Sequence, residues 1–183
     1  MSPELKQRLA VIVASLTVGT TVYTLSPSAE QKLVQFEGEK LSAYNDTGGI
    51  CTIGVGSTLF VNCKDKITQE ESRLLLKDDL RKSSKALEKN VKRKITSQNQ
   101  VDAALHWLHN FGEGNFRKST LLKKWNAGDC VGTAKEFLRW DKLKVWDKKQ
   151  QKYVTVINAH QKERRKWEHD QFLLGCSPTG EFK

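Results

Sequence analysis

Residues 36–58, FEGEKLSAYNDTGGICTIGVGST, carry a carboxylate at Glu37, a second at Asp46 and a hydroxyl at Thr52. Gly38 follows the first carboxylate, Gly48 and Gly49 lie between the other two groups, and Gly54 and Gly56 close the segment. Glycines so placed predict a helix that ends near Glu37 and runs into a tight β-hairpin. The rest of the chain reads as the support for this stretch.

Two carboxylic acids in unlike surroundings are what cleavage of a glycosidic bond requires. One protonates the leaving oxygen, and the other, on the far side of the sugar, activates water or stabilises the oxocarbenium-like centre. Glu37, at a helix end beside apolar Phe36, suits the proton donor; Asp46, by a solvated glycine-rich turn, suits the ionised partner. Carboxylates at turns are usually plain surface charges, so the pair alone does not decide the matter. The whole pattern of Glu, eight residues, Asp, five residues, Thr does more: with its glycines it resembles the active-site signature of the phage-type lysozymes, glycoside hydrolase family 24.

The resemblance continues through residues 67–80 (ITQEESRLLLKDDL), 99–122 (NQVDAALHWLHNFGEGNFRKSTLL) and 126–140, and more loosely to residue 174. By position it makes Glu37 the general acid, Asp46 the second catalytic carboxylate and Thr52 the hydroxyl that helps place the water, with Glu39 out of register and facing solvent. It implies an α+β, lysozyme-like fold: a small β-hairpin lobe, a larger helical lobe and the active-site cleft between them. The implied activity is that of an endolysin, a muramidase that hydrolyses the β-1,4 bond between N-acetylmuramic acid and N-acetylglucosamine in peptidoglycan, with inversion and without a cofactor. The rival reading is a non-catalytic binder of peptidoglycan or nucleic acid that kept the fold; intact Glu37, Asp46 and Thr52 argue against it, since a pure binder has no need of all three.

The chain departs from that family at three places. Ser57 follows the last glycine of the hairpin segment where the family has His; Ala159 and His160 stand where it has Gly-Leu, although Arg164, Arg165 and Glu168 still match; and residues 147–153 read as a hydrophilic insertion. His106, His109, His160 and His169 show no ligand spacing with the cysteines, so no metal site is expected.

With 183 residues and 38% hydrophobic content the chain can bury one sizeable core, and disorder is excluded as a general state. The net charge is +10, and residues 1–28 account for only one unit of it, so the basic surplus belongs to the remainder. Such a surface suits an anionic polymer, cell wall or nucleic acid, and charge alone does not choose between them.

Residues 9–25, LAVIVASLTVGTTVYTL, carry no charge and follow Lys6 and Arg8. As a helix they would span about 25 Å, short of a hydrocarbon core of about 30 Å, and Ser15, Thr17, Gly19, Thr20, Thr21 and Thr24 dilute their hold on lipid. A cleaved signal peptide wants small residues at the −3 and −1 positions and fits poorly, because cutting after Ala29 puts Pro27 at −3 and cutting after Ser28 puts it at −2. The composition resembles the signal-anchor-release segments of some endolysins. Residues 1–28 are accordingly expected to be an N-terminal hydrophobic, releasable transmembrane helix and residues 29–183 the catalytic domain. The N-terminus would lie in the cytoplasm and the enzyme would pass from the inner membrane to the periplasm. A monomer that binds peptidoglycan and no nucleic acid is expected.

Farther along, Ser28 with Gln31, Thr68 with Glu71 and Ser97 with Gln100 have capping-box spacing and predict three helix starts. Breaks are expected at Gly112 to Gly114 and near Gly128, and a helix from Val131 to Trp140. Trp107, Trp125, Trp140, Trp146 and Trp167 are expected in the core or in lobe packing. Cys51, Cys63, Cys130 and Cys176 allow three pairings; Cys51 with Cys63 is the local choice, which leaves Cys130 with Cys176, the other reading being four buried thiols.

Overall fold

A computed structural model of the chain describes residues 1–15, 23–46, 48–147 and 150–183. The architecture is α+β and mostly helical, in two compact units, Met1–Lys85 and Ala86–Lys183.

The first unit begins with α1, Pro3–Ser15, which has Pro at its first position and Glu4 in its first turn, both favourable at a helix start. Leu5, Arg8, Leu9 and Ile12 are buried, at the spacing that puts them on one face, while Val11 and Val13 are exposed. This differs from the expected apolar helix over residues 9–25. The observed helix starts earlier, takes the charged residues into its body, and is amphipathic rather than apolar all round. Residues 16–22 lie outside the described residues, and no helix among the described residues is long and apolar enough to cross a membrane.

Helix α2, Pro27–Glu37, is capped by Ser26, whose Oγ accepts from the Ala29 N–H at 3.3 Å. The cap falls two residues before the expected Ser28 because Pro27, with φ preset and no N–H to satisfy, takes the first helical position. Strands β1, Lys40–Asn45, and β2, Cys51–Gly54, pair antiparallel with Tyr44 opposite Thr52 and Asn45 opposite Cys51. Helix α3, Gln69–Asn90, opens with the expected reciprocal box: the Glu71 N–H donates to Thr68 Oγ1 at 3.2 Å and the Thr68 N–H to Glu71 Oε2 at 2.8 Å. The apolar core of this unit joins Leu5, Leu9 and Ile12 of α1 to Ile53, Ile67 and Leu75.

In the second unit α4, Gln98–Lys118, is broken at Gly112, where φ is 73° and ψ 168°, as the glycines predict. Ser97 stands at its start without a side-chain capping bond, and Gln100 is buried with Nε2 3.4 Å from the Cys130 sulfur, so the predicted box is not formed. Helix α5, Thr120–Ala127, is capped by Ser119 and ends at left-handed Gly128; α6, Cys130–Phe137, is capped by Asp129, and its expected last turn tightens into a 3₁₀ turn at Leu138–Trp140. Of the stretch expected as an insertion, Asp147 ends strand β3, Lys142–Asp147, Lys152 and Tyr153 begin its antiparallel partner β4, Lys152–Ile157, and residues 148–149 lie outside the described residues; α7, Ala159–Leu174, follows. Trp107, Phe116, Trp125, Phe137 and Phe172 fill the interior, Trp140 and Trp167 are half-buried, and the side chain of Trp146 lies outside the description. Cys130 is bonded to Cys176, and Cys51 to Cys63.

Candidate active site

Glu37, Asp46 and Thr52 all belong to the first unit. Glu37 is the last residue of α2, half-buried, and next to Phe36, whose burial fixes that end of the helix. The chain leaves α2 at Gly38, where φ is 72° and the N–H closes on the Val34 carbonyl at 2.9 Å. A positive φ there favours glycine and turns the backbone directly into β1.

Asp46 begins the hairpin turn. Its Oδ1 accepts the N–H of Gly48 at 2.8 Å and of Ile50 at 2.9 Å, so the turn's own backbone fixes the carboxylate and leaves Oδ2 uncommitted to these bonds. Thr52 lies in β2, buried, and donates its hydroxyl proton to the Ile50 carbonyl at 3.1 Å. A hydroxyl has one proton and two acceptor positions, so Thr52 keeps acceptor capacity for a water molecule.

Tyr44 connects these groups, and nothing in the sequence singled it out. It faces Thr52 across the strand pair, and the Lys40 ammonium lies over its ring at 3.8 Å. Its phenol is held above the usual tyrosine range, first by burial and then by the negative charges of Glu37 and Asp46. Both carboxylates therefore act on one hydroxyl, on the face of the hairpin that carries Thr52. The signal that points to Tyr44 is strand register, which emerges only once the hairpin is formed.

Adjacent residues on a strand point to opposite faces. Cys51 accordingly pairs with Asn45 on the other face, and its bond to Cys63, with Cα atoms 5.0 Å apart, ties β2 to the following loop from behind. That loop adds further rungs, with the Ala43 N–H donating to Asp65 O and the Ile67 N–H to Leu41 O, each at 2.9 Å. Gly54, with φ 63°, brings β2 against α3 so closely that a Cβ would meet the Ser72 hydroxyl at 3.0 Å. Glu39 is not purely solvent-facing: it is half-buried and accepts from Gln69 Nε2 at 3.4 Å, in a groove lined by Leu25, Val34, Val55, Arg73 and Leu76 rather than by Glu37, Asp46 or Thr52.

Ser57, the residue that departs from the family pattern, is only 2% exposed. Its N–H and carbonyl both bond to Ile53, each at 2.9 Å, and its hydroxyl donates to Asp79 Oδ2 at 2.9 Å while accepting from Arg8 Nη1 at 2.8 Å. Burial works to raise the neighbouring Asp78 carboxyl, but hydrogen bonds from Arg8 and Lys82 outweigh it and hold the group below the ordinary carboxylate range. Among the described residues no group of His, Cys, Asp and Glu side chains is arranged to hold a metal ion.

Comparison with known proteins places this chain in a family. The chain is 40% identical over 111 residues to the endolysin of Acyrthosiphon pisum secondary endosymbiont phage 1, a match covering 61% of this chain and 75% of that protein. It is 31% identical over 135 residues to the SAR-endolysin of Escherichia phage Mu, covering 74% of this chain and 78% of the relative. The solved endolysin from Escherichia coli O157:H7 phage FAHEc1 superposes with a TM-score of 0.71 at 33% identity, over 86% of this chain and 98% of that one, so the fold is lysozyme-like. The phage lysozyme family model matches residues 34–168, a span that holds Glu37, Asp46 and Thr52, and the chain belongs to the phage lysozyme family.

Proposed function

We propose that Glu37 donates the proton to the leaving glycosidic oxygen, that Asp46 is the carboxylate opposite it, and that Thr52 helps to orient the attacking water. The enzyme class follows from the family: the chain is a glycoside hydrolase, a lysozyme-type endolysin that cleaves the β-1,4 bond between N-acetylmuramic acid and N-acetylglucosamine in peptidoglycan during host lysis. The observation that carries the residue assignment is Tyr44, whose phenol feels the charges of both Glu37 and Asp46 and stands opposite Thr52.

The chemistry follows from what each group offers. A water donating one proton to Asp46 Oδ2 and another to the free acceptor side of Thr52 turns its lone pair toward the anomeric carbon, while Glu37 protonates the departing oxygen. Direct attack by that water inverts the configuration. The backbone bonds to Asp46 Oδ1 let the carboxylate do this without first reorganising. Replacing Glu37 by Gln removes the proton but not the shape, so turbidity of purified cell walls should remain undiminished with Glu37→Gln while Glu39→Gln clears them nearly as well as wild type. Rapid clearing by Glu37→Gln would overturn the assignment.

We further propose that residues 1–28 act as a releasable signal anchor, with residues 9–25 in the inner membrane before the protein enters the periplasm, and that the released enzyme works as a monomer. The charge-free run and the similarity to an SAR-endolysin support this reading. So does α1, whose apolar face is sheltered on the core with Ile53, Ile67 and Leu75, a refuge for part of the segment once it leaves lipid. Replacing Gly19, Thr20 and Thr21 by leucines strengthens the hold of lipid by several kcal/mol, on the order of one or more per exchange. Fractionation with and without an uncoupler should find that variant in membranes and wild type released; a soluble product lacking residues 1–28 would instead mean signal cleavage.

A further inference from the structure

We propose that Arg8 is a positioning residue for the catalytic hairpin, bringing a cation from the N-terminal segment to the serine that stands where the family signature has His. The proposal rests on the assignment of Glu37, Asp46 and Thr52 given above. Its starting point is the substitution at position 57, where Ser replaces the His that the resemblance leads one to expect. A serine carries no charge, yet the position faces Asp79 and has Asp78 close by.

Arg8 fills that gap. It is 7% exposed, and its two terminal nitrogens reach four acceptors: Nη1 donates to Ser57 Oγ at 2.8 Å and to the Leu59 carbonyl at 3.1 Å, and Nη2 to Asp78 Oδ2 at 3.0 Å and Asp79 Oδ1 at 2.8 Å. Arg81 and Lys82 also pair with these aspartates, but they project from α3 itself, the same helix as the acids, and are 31% and 52% exposed, against 5% for the Arg8 side chain. Arg8 bonds at once to both acids of α3 and to Ser57 and Leu59, beside the direct bond from the Ser57 hydroxyl to Asp79.

The path to the chemistry is short and covalent at its end. Ser57 is bonded through both its N–H and its carbonyl to Ile53, the residue after Thr52. Fixing Ser57 therefore fixes the backbone that aims the Thr52 hydroxyl. A second tie runs to the other strand: the Ser2 hydroxyl donates to Asp65 Oδ2 at 2.8 Å, its backbone N–H also bonds to Asp65, and the Asp65 carbonyl accepts from Ala43 in β1. The N-terminal segment thus braces both strands, each through one intermediary. Without Arg8 in place, Ser57 loses its cation and buried Asp78 and half-buried Asp79 lose a partner, so Arg8 helps to hold the hairpin in register.

The test uses the full chain and moves the cation from Arg8 to residue 57. Arg8→Met should leave wall concentration for half-maximal rate unchanged and lower the maximal rate on the order of 10- to 100-fold, the scale of a small misplacement of a catalytic group. Adding Ser57→His returns a cation to the hairpin when the imidazole is protonated. Position 57 is bonded to Asp79; Asp78, Arg81 and Lys82 of α3 and Glu4 of α1 surround the Arg8 site, Arg81 and Lys82 being paired with the aspartates, and the aspartate beside it raises the histidine above its ordinary value of about 6.5. Rescue should therefore be present at about pH 5.5 and lost as pH rises through that raised value, relative to wild type measured at each pH. A merely structural role for α1 predicts no such pH-dependent rescue. Full maximal rate in Arg8→Met, or no rescue at low pH, overturns the proposal. Should Arg8→Met fail to fold, Ser57→Ala, which keeps the Arg8–aspartate pairs, must lower the maximal rate severalfold, and a folded Ser57→Ala with full activity is equally fatal. Glu37→Gln run alongside separates the two readings: an active Glu37→Gln fails the site assignment, whereas an inactive one beside a fully active Arg8→Met fails this proposal alone.

Discussion

Among its described residues the chain builds two antiparallel strand pairs and treats them differently. The β3–β4 hairpin has the more regular ladder, with unbroken register from Lys142 opposite Ile157 to Asp147 opposite Lys152, yet Tyr153 and Ile157 stand about two-thirds exposed. The β1–β2 hairpin is shorter and its register shifts between Lys40 and Tyr44. It is instead tied from outside its own ladder: by the Cys51–Cys63 bond, the rungs to Asp65 and Ile67, the Ser57–Ile53 bridge, and Gly54 set against α3. A two-stranded hairpin is marginal alone in water. Ladder regularity is therefore no guide to where precise chemistry can be placed; external bracing is, and the braced hairpin is the one that carries Asp46 and Thr52.

That contrast can be broken at several points. Asp46→Asn should have the largest effect, a loss of about 100-fold or more in wall hydrolysis with little change in melting temperature, since the turn keeps its acceptor oxygen while the charge is gone; the measurement is initial clearing rate beside a thermal melt. Next in size come the disulfides, in which loop length sets the scale. Opening Cys130–Cys176, which spans 46 residues, should cost about 4 kcal/mol, and opening Cys51–Cys63, which spans 12, about 3 kcal/mol, if neither is strained. Denaturant melts of Cys130→Ser and Cys51→Ser read both, and Cys51→Ser should lower stability more than the activity of the protein that remains folded. Activity that rises on reduction would mean that the bond restrains the site rather than braces it.

A smaller effect concerns acid. Asp78 sits below its ordinary range because hydrogen bonds from Arg8 and Lys82 outweigh burial, so its contribution to stability is present above the unfolded carboxylate value of about 3.9 and is lost as pH falls through the lower folded value. Melting temperature against pH should fall in that acid window, and Asp78→Asn should flatten the fall. Tyr153→Ala marks the small end: at 68% exposure on the β3–β4 hairpin it should change stability by no more than about 0.5 kcal/mol and leave clearing rates alone. A large loss there would mean that the second hairpin is not the idle member of the pair.

Local signals in the sequence were legible where one short stretch decides the structure. Thr68 and Glu71 form their box, and Gly112 and Gly128 end helical runs as expected, because each acts through its own backbone. Ser28 misled because its capping pattern obscured the stronger claim of Pro27 on the first helical position. The β3–β4 hairpin was hidden by lysines, although the β-branched run of residues 152–157, KYVTVI, carried the signal. α1 differs from the apolar helix expected over residues 9–25 for a physical reason: hydropathy treats Arg8 as the flank of an apolar run, whereas the folded chain counts it with Leu5, Leu9 and Ile12 on one buried face. The family motif supplied the candidate carboxylates, but Tyr44 depends on strand register and the Arg8 network on pairings 49 to 71 residues apart, and both became visible only in the fold.

The central claim is that the braced hairpin, with Glu37 at its entrance, performs glycoside hydrolysis. Its most direct test is to digest purified peptidoglycan with the wild type and with Glu37→Gln and to identify the new chain ends by mass spectrometry. Wild type should release fragments with reducing N-acetylmuramic acid ends, bearing one added water per cleavage, and Glu37→Gln, with an unchanged circular dichroism spectrum, should release essentially none. Wild-type fragments that end in an anhydro sugar, or equal release by Glu37→Gln, would contradict the account.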